Sequence, residues 1–156
     1  MVSLSSILQS PVQALLRPAM WLPIIKHLHS YRETWTCEKE NAVILKSIVD
    51  ALEPLKSTDD KGTYYDIHKI SRDATFVRIF VFTWAEWLDV MEFKVHDGTV
   101  EAHSFSTGVF PLFIPFISLV NIALFWVPFL DHGLNKDRIL SMRRLLDTHV
   151  KDFNVN

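Results

Sequence analysis

The sequence predicts an α+β fold: a four-stranded antiparallel meander packed with an N-terminal and a C-terminal helix, plus a hydrophobic helical insert. Three observations predict it. Strand-type runs recur between residues 63 and 106 and include Asp97-Gly98, a strong two-residue hairpin signal. Apolar residues at helical spacing flank these runs on both sides, over 37–53 and 136–153. Between the last strand and the last helix, segment 109–130 carries no charged side chain.

Composition bounds the class. The 156 residues suffice for one domain with a core, here 37–156, preceded by a basic, apolar N-terminal segment 1–36. A net charge of −2 gives no global signal for nucleic acid, and none is expected as a partner. The single Cys37 excludes an intrachain disulfide and a Cys-rich zinc site, and fits a reducing compartment. His27 and His29 have no acidic or Cys neighbour, so no metal or other cofactor is expected.

Residues 1–32 contain Arg17, Lys26 and Arg32 but no Asp or Glu. Pro11, Pro18 and Pro23 interrupt the apolar runs, so the segment lacks the continuous apolar region of a secretory signal. Three readings stay open: a mitochondrial-type presequence, a surface-lying stretch with Leu15, Leu16, Met20, Trp21, Leu22, Ile24 and Ile25 towards lipid, or a poorly ordered tail.

In 37–53, Ala42, Leu45, Ile48, Val49 and Leu52 form a helical stripe, with Thr36 as N-cap and Pro54 marking the end. After the turn at 59–62, strands are expected at 63–71, 74–84, 87–96 and 99–106. The second carries large apolar groups on both faces, as in a central strand covered on both sides.

The Asp97-Gly98 turn fixes the register of the last pair. Val95 should face Val100, Lys94 face Glu101, Phe93 face Ala102 and Glu92 face His103. Glu92, Lys94, Glu101 and His103 then share the outer face, while Met91, Phe93, Val95, Val100 and Ala102 point to the core. Asp89 falls opposite Ser106 on the core side, where a carboxylate needs a hydrogen bond or a cationic partner.

Segment 109–130 is long enough for a membrane span, but Pro111, Pro115 and Pro128 leave only 116–127 for helix. Such a helix reaches ~18 Å, short of a ~30 Å hydrocarbon core. A dip into one leaflet, a re-entrant hairpin or a buried helix fits better. In 136–153, Ile139, Met142, Leu146, Val150 and Phe153 form the core stripe, with Asn135 as N-cap. Arg138, Arg143 and Arg144 lie mostly off it, on a solvated or lipid-headgroup-facing side.

Asp89, the run Ser104-Phe105-Ser106-Thr107-Gly108, and Asp131, Gly133, Asn135 and Arg138 together form a pattern. From about Ala42 to Leu146 the chain resembles the family catalogued as domain of unknown function 1499. Its motifs are an Asp at a strand start, a strand ending R-S-x-S-R-x-G, and a D-x-G-x-N-x-x-R turn into a helix. Two family arginines are His103 and Thr107 here, and the apolar stretch separates Gly108 from Asp131. The resemblance implies that both ends of this insert meet on one side of the body.

Asp89, Ser104, Ser106, Asp131, Asn135 and Arg138 are therefore expected to converge at the base of the insert. One reading is structural, with Asp89 pairing with Arg138, the serines bridging and Asn135 starting the helix. The other is a small polar pocket for an anionic headgroup or metabolite. Phe110, Phe113, Phe116, Phe125, Trp126 and Phe129 are the expected membrane contacts. The functional expectation is a non-enzymatic, membrane-associated accessory or lipid-contacting protein. It would sit at an intracellular membrane, the mitochondrion included, with lipid and a membrane-complex protein as partners. The alternatives are a soluble domain that binds an apolar ligand such as a lipid, and an enzyme using Asp89 as acid or base.

Overall fold

The computed structural model describes residues 2–59, 62–149 and 154–155. In chain order come α1 (Leu4–Leu16), β1 (Ser30–Thr36), α2 (Asn41–Asp50), α3 (Leu52–Thr58), β2 (Tyr64–Ile70), β3 (Phe76–Phe82), β4 (Leu88–His96), β5 (Thr99–Ser106), α4 (Ile117–Ala123), α5 (Leu134–His149) and the short β6 (Asn154–Val155). The α+β class and the meander β2-β3-β4-β5 agree with the sequence reading, but the sheet is wider. Its order is β2-β3-β4-β5-β1-β6, antiparallel throughout.

The added strand is β1, paired with β5 from Ser30↔Phe105 to Thr36↔Thr99. Its run Ser-Tyr-Arg-Glu-Thr-Trp-Thr is polar, yet Trp35 is fully buried against Phe93, with ring centroids 5.9 Å apart. Glu33 on the same strand accepts a hydrogen bond from Arg143 Nη1 of α5 at 2.5 Å. Arg143 is thus an internal tie, not one of a free row of cations. The β4–β5 register is the expected one, through Asp89↔Ser106.

One face of the sheet carries the main core, where α2, α3 and α5 bring Ile48, Leu52, Leu55, Ile139, Met142 and Leu146 onto Val77, Ile79, Met91, Phe93 and Val100. The helix expected over 37–53 is shorter and broken. α2 starts at Asn41 after an extended Glu40, so Thr36 ends a strand and is not the cap. Pro54 does not terminate a helix; it sits in the first turn of α3, where its missing N–H leaves no hydrogen bond unmade. Ala42 is exposed and Ile44 takes its expected place in the core. In α5, Asn135 lies inside the helix. The cap role belongs to Asp131, whose carboxylate accepts from the Gly133 and Asn135 backbone N–H groups at 3.0 Å each. Val150 and Phe153, the end of the expected stripe, lie outside the described residues.

The opposite face is covered by α1 and segment 109–130, over Phe80, Phe82, Leu88, Val90 and Phe105. β3 is therefore covered on both sides. Within the segment the helix is only the seven-residue α4, because Phe116 adopts a left-handed conformation before it. Among the described residues no helix is long and apolar enough to cross a membrane.

Both covering helices are inverted. α1 buries Ser6, Ser10, Gln13 and Ala14 and exposes Leu4, Ile7, Leu8, Val12, Leu15 and Leu16. α4 buries Ser118 and Asn121 beside Ile117 and exposes Leu119 and Val120, with Phe116 77% exposed just before it. Most of the inward polar groups bond each other or backbone, while the buried Gln13 Oε1 has no hydrogen-bond partner. Gln9 Nε2 donates to Leu112 and Ile114 carbonyls, Gln9 Oε1 accepts from Ser118 N, and Asn121 bonds Phe110 through both amide atoms. Glu86 accepts from Ser3 N, Ser3 Oγ and Ser6 Oγ at the N-terminus of α1. At the other end Arg17 makes a bidentate pair with buried Glu92, which Arg78 also holds.

Candidate functional site

The six polar residues singled out by sequence do converge, where segment 109–130 leaves β5 and returns to α5. Asn135 is the hub. Its Oδ1 accepts from Ser104 Oγ at 2.6 Å. Its Nδ2 donates to Asp131 Oδ2 at 2.8 Å, the His29 carbonyl at 3.0 Å and Ser106 Oγ at 3.1 Å. Beside it, Arg138 Nη1 donates to Asp89 Oδ2 at 2.5 Å, with both side chains buried. Burial alone would push the Arg138 guanidinium down, but Asp89 beside it holds it above its ordinary value. It stays charged.

Two cavities flank this network. Arg138 lines a small one of about 150 Å³ with Leu55, Asp59 and Tyr65. Tyr65 donates its hydroxyl to Asp59 Oδ2 at 2.8 Å; burial and then this bond push the hydroxyl well above its ordinary value. Asp89, Ser106 and Asp131 instead line a larger cleft of about 320 Å³, walled by Trp87, Phe129 and Leu130. Gly108 and Asp131 both border this cleft, so the apolar segment departs and returns on one side of the body.

Sequence reasoning missed three groups. Trp87 shares the face of Asp89 by strand parity, the signal that could have found it, and its Nε1 donates to the Val109 carbonyl at 2.9 Å. His29 is fully buried, with Nε2 2.8 Å from the Ala19 carbonyl and its ring stacked on Phe129 at 4.3 Å. Gln13 ties α1 to the Thr107 carbonyl at 2.9 Å. Nothing in their local spacing marks the last two.

The aromatic residues expected to face outward divide. Phe110, Phe113, Phe116 and Trp126 are exposed. Phe125 is half-buried, tilted against Trp21 with centroids 5.3 Å apart, and Phe129 is half-buried against His29. The expected Glu92–His103 acid–imidazole pair has the right register but different chemistry, since Arg17 and Arg78 take the carboxylate. Burial first, and then Arg32, lower the His103 pKa to about 4. Among the described residues no cluster of His, Cys, Asp or Glu could hold a metal.

No protein-family model matches the chain, and no curated protein matches it. Among solved structures it is similar to TTHA0849 from Thermus thermophilus, at 14% identity over 78% of this chain and 97% of that one. The TM-score is 0.35, too loose a likeness to carry an argument.

Proposed function

We propose that the protein docks on one leaflet of a membrane through the outer surface of α1, the 21–28 loop and segment 109–130, as a non-enzymatic lipid-contacting or accessory protein. The observation that carries this reading is the double inversion: two helices turn serine, glutamine and asparagine inward, beside Ala14 and Ile117, and leucine, isoleucine and valine outward. In water that arrangement exposes apolar surface while polar groups occupy the interior, the reverse of what burial favours. Against acyl chains it becomes favourable, as for an interfacial helix.

Further features support lipid as the occupant. Residues 1–32 and 109–130 contain no Asp or Glu, while Lys26 and Arg32 are basic; the third cation, Arg17, is held by Glu92. Trp21 and Trp126, both exposed, suit headgroup depth. Ile24, 89% exposed, and Leu28 extend the apolar surface beyond α1. The interior polar bonds make α1 and the segment one rigid unit, so lipid contact requires no unfolding.

Flotation with phosphatidylglycerol vesicles tests this. The intact chain should float, and Leu8→Glu/Leu119→Glu should lower the bound fraction at least tenfold while circular dichroism stays unchanged. A chain that stays monomeric in detergent-free buffer and never floats overturns the reading.

A further inference from the structure

The larger cleft selects a ligand by charge. Its lining includes two carboxylates, Asp89 and Asp131, one imidazole, His132, and no Lys or Arg. Arg138 reaches Asp89 from the far side and lines the other cavity. That bond uses Oδ2; among the described residues Asp89 Oδ1 accepts no hydrogen bond. Asp131 carries its charge on a half-exposed side chain at the mouth. Arg138 compensates Asp89, so an anion would be repelled mainly by Asp131, the lining carboxylate without a cationic partner among the described residues. A purely apolar ligand would strip water from the carboxylates without compensation.

The remaining walls narrow the choice among cations. Trp87 and Phe129 present aromatic surface, and Val109 and Leu130 aliphatic surface. The hydrogen bond from Trp87 Nε1 to the Val109 carbonyl fixes the indole at the rim. Stacking on His29 fixes the Phe129 ring. A small metal ion needs a converging shell of ligands, and among the described residues no group of three His, Cys, Asp or Glu supplies one. A bulky cation whose charge is spread over methyl groups meets both requirements, since it contacts aromatic faces and balances carboxylates without a hydration shell.

We propose that this cleft binds an alkylammonium group, the chemistry shared by free choline-type amines and the choline headgroup of a phospholipid. The cleft shares Val109, Phe129 and Leu130 with the outward apolar segment but opens beside it, at the junction with β4 and α5. Binding of a soluble amine therefore does not depend on membrane docking.

Calorimetric titration of choline chloride into the full chain, with sodium chloride as the ionic control, tests the site in buffer. Saturable heat with choline and none with sodium is expected. Trp87→Leu and Asp131→Asn should each weaken binding about tenfold, whereas Trp87→Phe should retain it. Asp131→Asn removes the charge and also one of the two accepting oxygens at the start of α5, so circular dichroism and thermal melting establish the fold of each variant before its binding is compared. In parallel, flotation compares phosphatidylcholine with phosphatidylglycerol vesicles. A lipid headgroup as ligand gives a preference for phosphatidylcholine that Trp87→Leu abolishes; a free amine gives the calorimetric signal without that preference. The proposal falls if neither the heat nor the preference is observed, or if folded Trp87→Leu keeps wild-type strength. Failure to bind phosphatidylglycerol vesicles alone would overturn the docking surface and leave the cleft standing.

Discussion

Arg138 on α5 and Asp89 on β4 form a buried ion pair, with Nη1 donating to Oδ2 at 2.5 Å. It pins the C-terminal helix to the middle of the sheet. Such a pair adds little net stability over apolar packing, but removing one partner strands the other's charge. Arg138→Met should therefore lower unfolding free energy by roughly 3–5 kcal/mol in urea denaturation. Asp89→Leu/Arg138→Met should recover most of that loss. A double variant as unstable as the single one would mean that the pair contributes more than docking geometry.

Asn135 bonds four separate groups through one amide: Ser104 and Ser106 on β5, the His29 carbonyl and the Asp131 side chain. Truncation leaves a buried hydroxyl and carbonyl short of partners. Asn135→Ala should cost about 2–3 kcal/mol in the same assay. Asn135→Asp should be at least as damaging, because it sets a carboxylate against Asp131 and the His29 carbonyl in place of a donor.

These two residues were legible in the sequence for different reasons. Asp97-Gly98 sets the β4–β5 register, and parity from that turn carries Asp89 to the core side opposite Ser106. Asn135 and Arg138 came from the resemblance. What local pattern hides is pairing at a distance. β1 has Arg32 and Glu33 at its centre and becomes a strand only because β5 offers it an edge. Glu92 likewise faces His103 as expected, but Arg17 reaches it from a helix 75 residues away. α1 was not legible as a helix on the sheet, because the face that docks there carries Ser6, Ser10 and Gln13 and no apolar stripe marks it.

The neutral state of His103 gives the protein a specific pH dependence. Its folded pKa is about 4 against an ordinary 6.5. Between those values the unfolded chain binds a proton that the folded chain does not, so stability falls as pH drops from 6.5 to 4 and the contribution levels off below. His103→Gln should flatten the urea midpoint across this window and leave the midpoint at pH 8 nearly unchanged. A wild-type profile that stays flat over the same range would show that the imidazole is as protonated in the fold as outside it.

The attachment of α1 rests on Glu86 and Gly108, and both can be tested without touching the apolar surface. Burial would raise the Glu86 pKa, but hydrogen bonds from Ser3 and Ser6 outweigh it and hold the carboxyl below its ordinary 4.5. The depressed value means that this bond is fully present above pH 4.5 and is lost as pH falls through the folded pKa. Glu86→Gln should lower the amide protection factors in the first turn of α1 at pH 7, and lowering the pH through the folded pKa should lower those of the wild type once intrinsic exchange rates are divided out. At Gly108 a Cβ would sit 2.3 Å from Gln13 Nε2 and 2.6 Å from Asn121 Cγ, in the seam where α1 meets the apolar segment. Both neighbours are held by hydrogen bonds, to Thr107 and Phe110 respectively, so neither can withdraw without breaking one. Gly108→Ala should destabilise the fold by about 1–3 kcal/mol and raise exchange throughout α1 and 110–123, while β2–β5 keep wild-type protection. Uniform loss of protection across the sheet would mean that α1 is part of the folding core and not a separately latched cover.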